Sequence, residues 1–133
     1  MTDYAADILA TEECWMYLAT ATVGRIAIAS PDGIDIFPVN FTVHDDRIYF
    51  RSAPGAKLER LTAQPDVTFE ADGTGRARRW SVVIKGRAER LSDDDEIVRS
   101  GVARLETVSP SVKNNFVRIT PRELSGRLLL RAE

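Results

Sequence analysis

The sequence is poor in the residues that most often mark a reactive site. Its 133 residues hold one cysteine, Cys14, and one histidine, His44. A lone cysteine excludes an intrachain disulfide. One histidine and one distant cysteine fall short of the three or four ligands a transition-metal site needs. Neither sign of charge dominates, since 18 basic and 20 acidic side chains leave a net charge of -2. Without a basic field there is no electrostatic case for general nucleic-acid binding. No apolar run is long enough to cross a bilayer. Met1-Thr2-Asp3-Tyr4 lacks the basic start and apolar stretch of a secretory signal, so a cytoplasmic location is expected. Repeats, low-complexity tracts and linkers are missing, and the length suits one domain spanning 1–133.

Catalytic constellations are also scarce. The serines are scattered, and His44 has no evident orienting partner, so no nucleophile–base pair stands out. Asp93-Asp94-Asp95-Glu96 resembles a metal-binding run but lacks the glycine and distal glutamate of a calcium loop. Its better reading is the start of a helix, where negative charge faces the dipole favourably.

What is present is an ordinary globular composition, 44% apolar and 29% charged. A chain this short can build a core but has little room for an enclosed pocket. A large ligand would then be held between two copies. Thr11 to Thr20 has helical spacing, with Thr11 as cap, Glu12 and Glu13 in the first turn, and Trp15, Leu18 and Ala19 on one face. From Gly24 the period becomes two. Ile26 and Ile28 alternate with Arg25 and Ala27, Pro31-Asp32-Gly33 turns the chain, and Ile34, Ile36, Val39, Phe41 and Val43 mark a second strand. The phase of that strand changes near Pro38, which predicts a bulge or bend there. Asp45-Asp46 turns into a third strand, Arg47 to Ser52.

Further along, a short helix is expected from Ala56 to about Ala63, then a strand from Val67 to Ala71. A polar loop follows from Asp72 to Arg79, then a long strand from Trp80 to Leu91. Ser92 with Asp95 reads as a capping box for a helix reaching about Thr107, with Pro110 beyond. Phe116 to Ile119 and Arg127 to Leu130 complete six or seven strands. Short connections and the lack of βαβ alternation favour a mostly β, antiparallel barrel with a few helices.

Two stretches could hold a ligand. In Phe50-Arg51-Ser52-Ala53-Pro54-Gly55-Ala56-Lys57-Leu58 a strand ends, the chain turns and a helix begins. Helix N–H groups, the charges of Arg51 and Lys57 and the Ser52 hydroxyl converge there, which suits a phosphate. The same pattern also suits a plain junction with a solvated lysine. In Pro38-Val39-Asn40-Phe41 the proline removes a ladder donor, leaving backbone and the Asn40 amide for a planar polar ring; an edge strand protected from aggregation reads the same way. Trp80 suits either an aromatic wall or the core.

Taken in order, Gly24-Arg25-Ile26-Ala27, Pro38-Val39-Asn40, Phe50 to Leu58, Trp80-Ser81-Val82-Val83, Gly86-Arg87-Ala88, Arg118-Ile119-Thr120-Pro121 and Ser125-Gly126-Arg127 resemble the pyridoxamine 5'-phosphate oxidase-like proteins, the FMN-binding split-barrel group. The resemblance implies a six-stranded split β-barrel that pairs into a homodimer, with flavin in grooves between the subunits. It implies that Arg51, Ser52 and Lys57 bind the FMN phosphate and that Pro38, Val39, Asn40 and Phe41 line the isoalloxazine ring. Trp80 would be a further contact, and Arg127 would reach the flavin from the partner subunit. The activity implied is that of a flavin-dependent oxidoreductase acting on a small molecule. One departure bears on substrate: where the vitamin-converting enzymes carry Arg-Leu-His, this chain reads Arg127-Leu128-Leu129-Leu130-Arg131. Oxidation of pyridoxamine phosphate is therefore not implied. Deazaflavin, with Arg76, Arg78 and Arg79 on its acidic tail, and a non-catalytic flavin or haem module with His44 as axial ligand are the alternatives.

Overall fold

The computed structural model describes residues 4–53, 55–105 and 115–131. In chain order its elements are β1 (Tyr4–Ile8), α1 (Thr11–Leu18), β2 (Val23–Ser30), β3 (Gly33–His44), β4 (Arg47–Ser52), α2 (Ala56–Ala63), β5 (Asp66–Gly75), β6 (Arg78–Arg90), α3 (Asp94–Ser100), a 3-10 turn (Val102–Arg104) and β7 (Asn115–Arg131). Every pairing is antiparallel, and the strands run β1-β7-β4-β3-β2-β5-β6. A further pairing of β6 with β7 closes β2 to β7 into a six-stranded ring, with β1 added on the far end of β7. The mostly β, antiparallel barrel expected from the sequence is therefore the fold.

Period-two patterning places the core. Ile26 and Ile28 on β2, Phe50 on β4, Phe69 on β5, Val82 and Ile84 on β6 and Ile119 on β7 are fully buried. Phe41 meets Phe69 edge-on at 4.9 Å between centroids. α1 packs on one end of the ring through Cys14 and Leu18, and burial pushes the Cys14 thiol above its ordinary range. Leu58 and Leu61 of α2 are also buried in the core. Among the described residues no helix is long and apolar enough to cross a membrane.

Several elements differ from the sequence reading, each for a physical reason. No bulge occurs at Pro38, because the β2–β3 register runs unbroken from Val23↔Asn40 to Ser30↔Gly33. The phase change has another origin: Ile34 and Ile36 face outward and are exposed, while Val39 and Phe41 face the core. The expected polar loop at Asp72–Arg79 is mostly strand. β5 and β6 stay paired to Gly75↔Arg78, leaving Arg76 and Ala77 as the turn, with Ala77 at φ 57°. The two expected final strands are one 17-residue strand, β7. Pro121 is tolerated there because the β6–β7 register jumps from Lys85↔Glu123 to Gly86↔Pro121, a bulge that leaves Arg122 unpaired in the ladder. At that jump a Cβ on Gly86 would lie 2.4 Å from the Thr120 carbonyl oxygen, so the close approach needs glycine.

β1 was not expected at all. Helix caps shift by one residue: Ala10 rather than Thr11 caps α1, with its N–H donating to Glu13 Oε1 at 3.0 Å. Asp93 rather than Ser92 caps α3, accepting from the Asp95 N–H at 3.0 Å. α3 stops at Ser100 because Gly101 takes a left-handed conformation, φ 79°. Thr107 and Pro110 lie outside the described residues.

Candidate functional site

The ring is split at one place. β3 pairs with β2 along Gly33–Asn40, but its ladder with β4 starts at Phe41↔Phe50 and runs only to the hairpin at His44↔Arg47. That hairpin is tight, with Asp45 and Asp46 at φ 51° and 56°, as a two-residue type I′ turn requires. The first half of β3 thus presents a strand edge that β4 does not cover. The Phe41 N–H donates to the Thr22 carbonyl, on the β2 side. Alternation then turns the backbone of Pro38 and Asn40 toward the split. Pro38, which has no N–H, occupies a position where no ladder donor is needed.

α2 flanks this split. Its Arg60 pairs with Asp35 of β3, and Lys57 Nζ lies 5.7 Å from the Phe37 ring centroid and 5.9 Å from that of Phe50. Lys57 and Arg60 are three residues apart, so they share the helix face turned to β3. At the N-terminus of α2, Gly55 adopts φ 147° and no side chain caps the helix. First-turn N–H groups that no side chain satisfies carry partial positive charge and suit an anion. The strand before them ends in Ser52, which is fully buried, with its hydroxyl donating to the Ala53 carbonyl at 3.0 Å.

The structure therefore brings together two stretches distant in sequence, Pro38–Phe41 and Ser52–Lys57. It arranges the individual side chains more selectively. Val39 and Phe41 are buried in the core, so Pro38, Asn40 and the β3 backbone are the parts of that stretch turned away from the core. Arg51 and Ser52 point to opposite faces of β4. Arg51 donates to the Ala103 and Leu105 carbonyls at 3.3 and 2.9 Å and lies over the Phe116 ring, so it fastens the 3-10 turn to the barrel.

Trp80 and Arg127 lie elsewhere within the chain. Trp80 is buried on β6, stacks on Tyr17 at 5.5 Å, and is separated from β3 by β5 and β2. Arg127 is exposed on the outer face of β7 between Ile8 and Ser81, toward the opposite end of the strand from Asn115, which pairs with Ser52. His44 closes the β3–β4 hairpin beside Tyr49, in a charged hollow of about 180 Å³ away from the split. Of the three loop arginines, Arg78 donates to Tyr17 Oη at 3.5 Å and Arg79 lies 4.0 Å from Asp72. Among the described residues no three His, Cys, Asp or Glu side chains come close enough to hold a metal.

Sequence reasoning missed the aromatic seat of Lys57, Phe37 with Phe50, and the Asp35–Arg60 pair. It also missed a polar clamp behind the site. Tyr49 donates to Glu96 Oε2 at 2.7 Å, and Arg118 Nη1 donates to both Glu96 oxygens at 2.8 Å. Burial, then the Glu96 hydrogen bond, pushes the Tyr49 hydroxyl up to about 12. Burial alone would raise the Glu96 carboxyl; the hydrogen bonds from Arg118 and Tyr49 outweigh it and hold the group below its ordinary range.

The combination defines a class: a small split barrel with an uncapped helix start beside an uncovered strand edge. The chain belongs to the pyridoxamine 5'-phosphate oxidase family, whose model matches residues 10–128. A Corynebacterium glutamicum protein provisionally assigned as a pyridoxamine 5'-phosphate oxidase is 38% identical, with a TM-score of 0.84 over 98% of both chains. The FAD-binding protein of Mycobacterium smegmatis is 32% identical, with a TM-score of 0.78 over 96% of this chain and 100% of that one. An uncharacterised Mycobacterium tuberculosis protein is 39% identical over 80 residues, 60% of this chain and 73% of its own length.

Proposed function

We propose that this chain binds a phosphorylated flavin, FMN at the least, and uses it as a homodimeric oxidoreductase acting on a small molecule. The observation that carries the reading is the juxtaposition of the uncapped α2 N-terminus and Lys57 with the uncovered edge of β3. These residues fit the cofactor at both ends. A phosphate needs convergent N–H donors and a cation, and the helix start with Lys57 provides them. A flavin ring has a mixed donor–acceptor edge, and backbone at Pro38 and Asn40 with the Asn40 amide suits it. A bound flavin supplies hydride or electron transfer, so the protein's task is to bind, orient and shield. That division of labour agrees with a site that offers no nucleophile–base pair among the described residues.

The second copy is proposed for the outer face of β2 and β3. Val23, Ile34 and Ile36 are 44%, 73% and 65% exposed there, on the same strands as Pro38 and Asn40. Ile34 and Ile36, side by side with Ala29 and Ala27 across the ladder, form an apolar strip on that face, which suits an interface. A partner seated there would cover the β3 edge and could bring its own Arg127 toward the ring. Relatives described as FAD-binding support the flavin reading at family level.

The test is the visible absorbance of the purified protein with added FMN, with its mass measured by light scattering. A perturbed two-band flavin spectrum and a mass twice that of the 14.8 kDa chain are expected. A protein that leaves the FMN spectrum untouched would overturn the cofactor assignment.

A further inference from the structure

The barrel forks at the end where β2 begins and β5 finishes. β2 pairs with β5 only from Ile28↔Val67 to Arg25↔Glu70, whereas β5 stays paired with β6 as far as Gly75↔Arg78. A hollow of about 350 Å³ occupies the fork, between the chain leading into β2 and residues Asp72, Gly73 and Thr74 of β5. The Glu70 carbonyl oxygen lies 3.0 Å from where a Cβ of Gly24 would sit, so it points at β2. Backbone direction alternates along a strand, so Asp72, two residues on, turns its N–H and C=O the same way. No β2 residue is in register to take them.

Trp80 forms the floor of the hollow. It is 5% exposed and stacks on Tyr17. Gly73 lets the indole come close, since a Cβ there would lie 2.3 Å from Nε1. The indole N–H has no acceptor among the described residues. Nor is it sealed in, because the only enclosed side-chain nitrogen or oxygen without a partner among them is Arg118 Nε. It therefore opens on the hollow that Trp80 lines, a donor on a buried side chain whose acceptor has still to be supplied. Thr22 and Thr74 add hydroxyls to the lining, and its one charged residue, Asp72, is neutralised by Arg25 at 2.7 Å.

Two N–H donors, one carbonyl acceptor and no spare charge match a flat, neutral group that carries an acceptor and a donor side by side. A carboxylate lacks the donor, and an ammonium lacks the acceptor. We propose that this hollow binds a small carboxamide, whose oxygen accepts from the Asp72 and Trp80 N–H groups and whose N–H donates to the Asp72 carbonyl. An amide oxygen has two lone pairs, enough for both donors. β2 and β3 stand between the hollow and the uncovered β3 edge, so this site is separate from the one proposed for flavin and does not rest on it.

The test follows the indole N–H signals of the isotope-labelled full chain by NMR; Trp15 and Trp80 are its two tryptophans. Trp15→Phe leaves the Trp80 signal alone and so assigns it. Nicotinamide is the probe, and nicotinate, with a carboxylate in place of the amide, is its control. The Trp80 signal is expected to move saturably downfield with nicotinamide, and nicotinate to bind about tenfold more weakly for want of the N–H donor. Trp80→Phe keeps a ring against Tyr17 but has no N–H, and calorimetry should show nicotinamide binding about tenfold weaker. A Trp80 signal that nicotinamide leaves in place in the wild type overturns the proposal, whether or not that variant folds. An equal response to nicotinate overturns the carboxamide class, and competition from FMN overturns the separation from the flavin site. A chain that ignores FMN but responds to nicotinamide loses the flavin reading and keeps this one.

Discussion

Lys57, the cation proposed for the flavin phosphate, is placed by what surrounds its ammonium group. Two aromatic rings within 6 Å hold the charge beside the split rather than in open solvent. Lys57→Ala should therefore weaken FMN binding by roughly 1–3 kcal/mol, the range for a lost charge-assisted contact. Fluorescence titration checks it, and unchanged affinity would move the phosphate elsewhere. The lysine itself could be read from the sequence, because a basic residue just after a strand–turn–helix junction is a local pattern. Its aromatic seat could not, since Phe37 lies twenty positions earlier and meets it only once β3 and α2 are docked. Arg51 shows the opposite limit. Its charge was plain in the sequence, but strand alternation sends it to the outer face, where carbonyls of the 3-10 turn take it.

At the scale of elements, the Tyr49–Glu96–Arg118 clamp ties α3 to the outside of β4 and β7, and it makes stability depend on pH at both extremes. Glu96 has a folded pKa below its ordinary 4.5. Its contribution is thus present above about that pH and is lost as the pH falls through the folded value. Tyr49 has a folded pKa near 12 against an ordinary 10. Its contribution is complete below pH 10 and is lost as the pH rises toward 12, with a size on the order of 2 kcal/mol. Denaturant unfolding across pH should show both limbs. Glu96→Gln should flatten the acid limb and Tyr49→Phe the alkaline one; identical profiles for wild type and Tyr49→Phe would dissociate the clamp from α3 docking. The elements themselves were legible where patterning is local, as in β2, β4, α2 and β6. β7 was not, because Pro121 and the polar residues after it look like a break until the bulge opposite Gly86 absorbs them. β1 escaped notice because a five-residue strand that pairs only with β7 has no local signature.

For the whole molecule, the exposed isoleucines of β3 explain both a misreading and an expected property. They shifted the apparent phase of the strand because they serve an outer surface rather than the core. Ile34→Asp/Ile36→Asp should leave the barrel folded, since both side chains are already in solvent, but halve the mass seen by light scattering. Flavin affinity should fall with it if the cleft is shared. A dimer that survives the double change would place the interface on another face. The barrel as a whole could be anticipated from turn spacing and alternation, whereas the split could not, because it depends on where the β3–β4 ladder stops.

Closure of the ring also dictates when this protein can exist. The earliest strand, β1, pairs only with the latest, β7, and β7 also bridges β4 to β6. On a ribosome the β2–β3–β4 meander can form as it emerges, but it is left with one open flank until the last seventeen-residue strand is out. Contacts joining the ends of the chain make for high contact order and slow folding, in the millisecond-to-second regime. During that interval the nascent sheet presents the same bare β3 edge that is proposed as the flavin site. The edge proposed to receive a ligand is thus also where an unfinished copy is most exposed to pairing with the wrong strand.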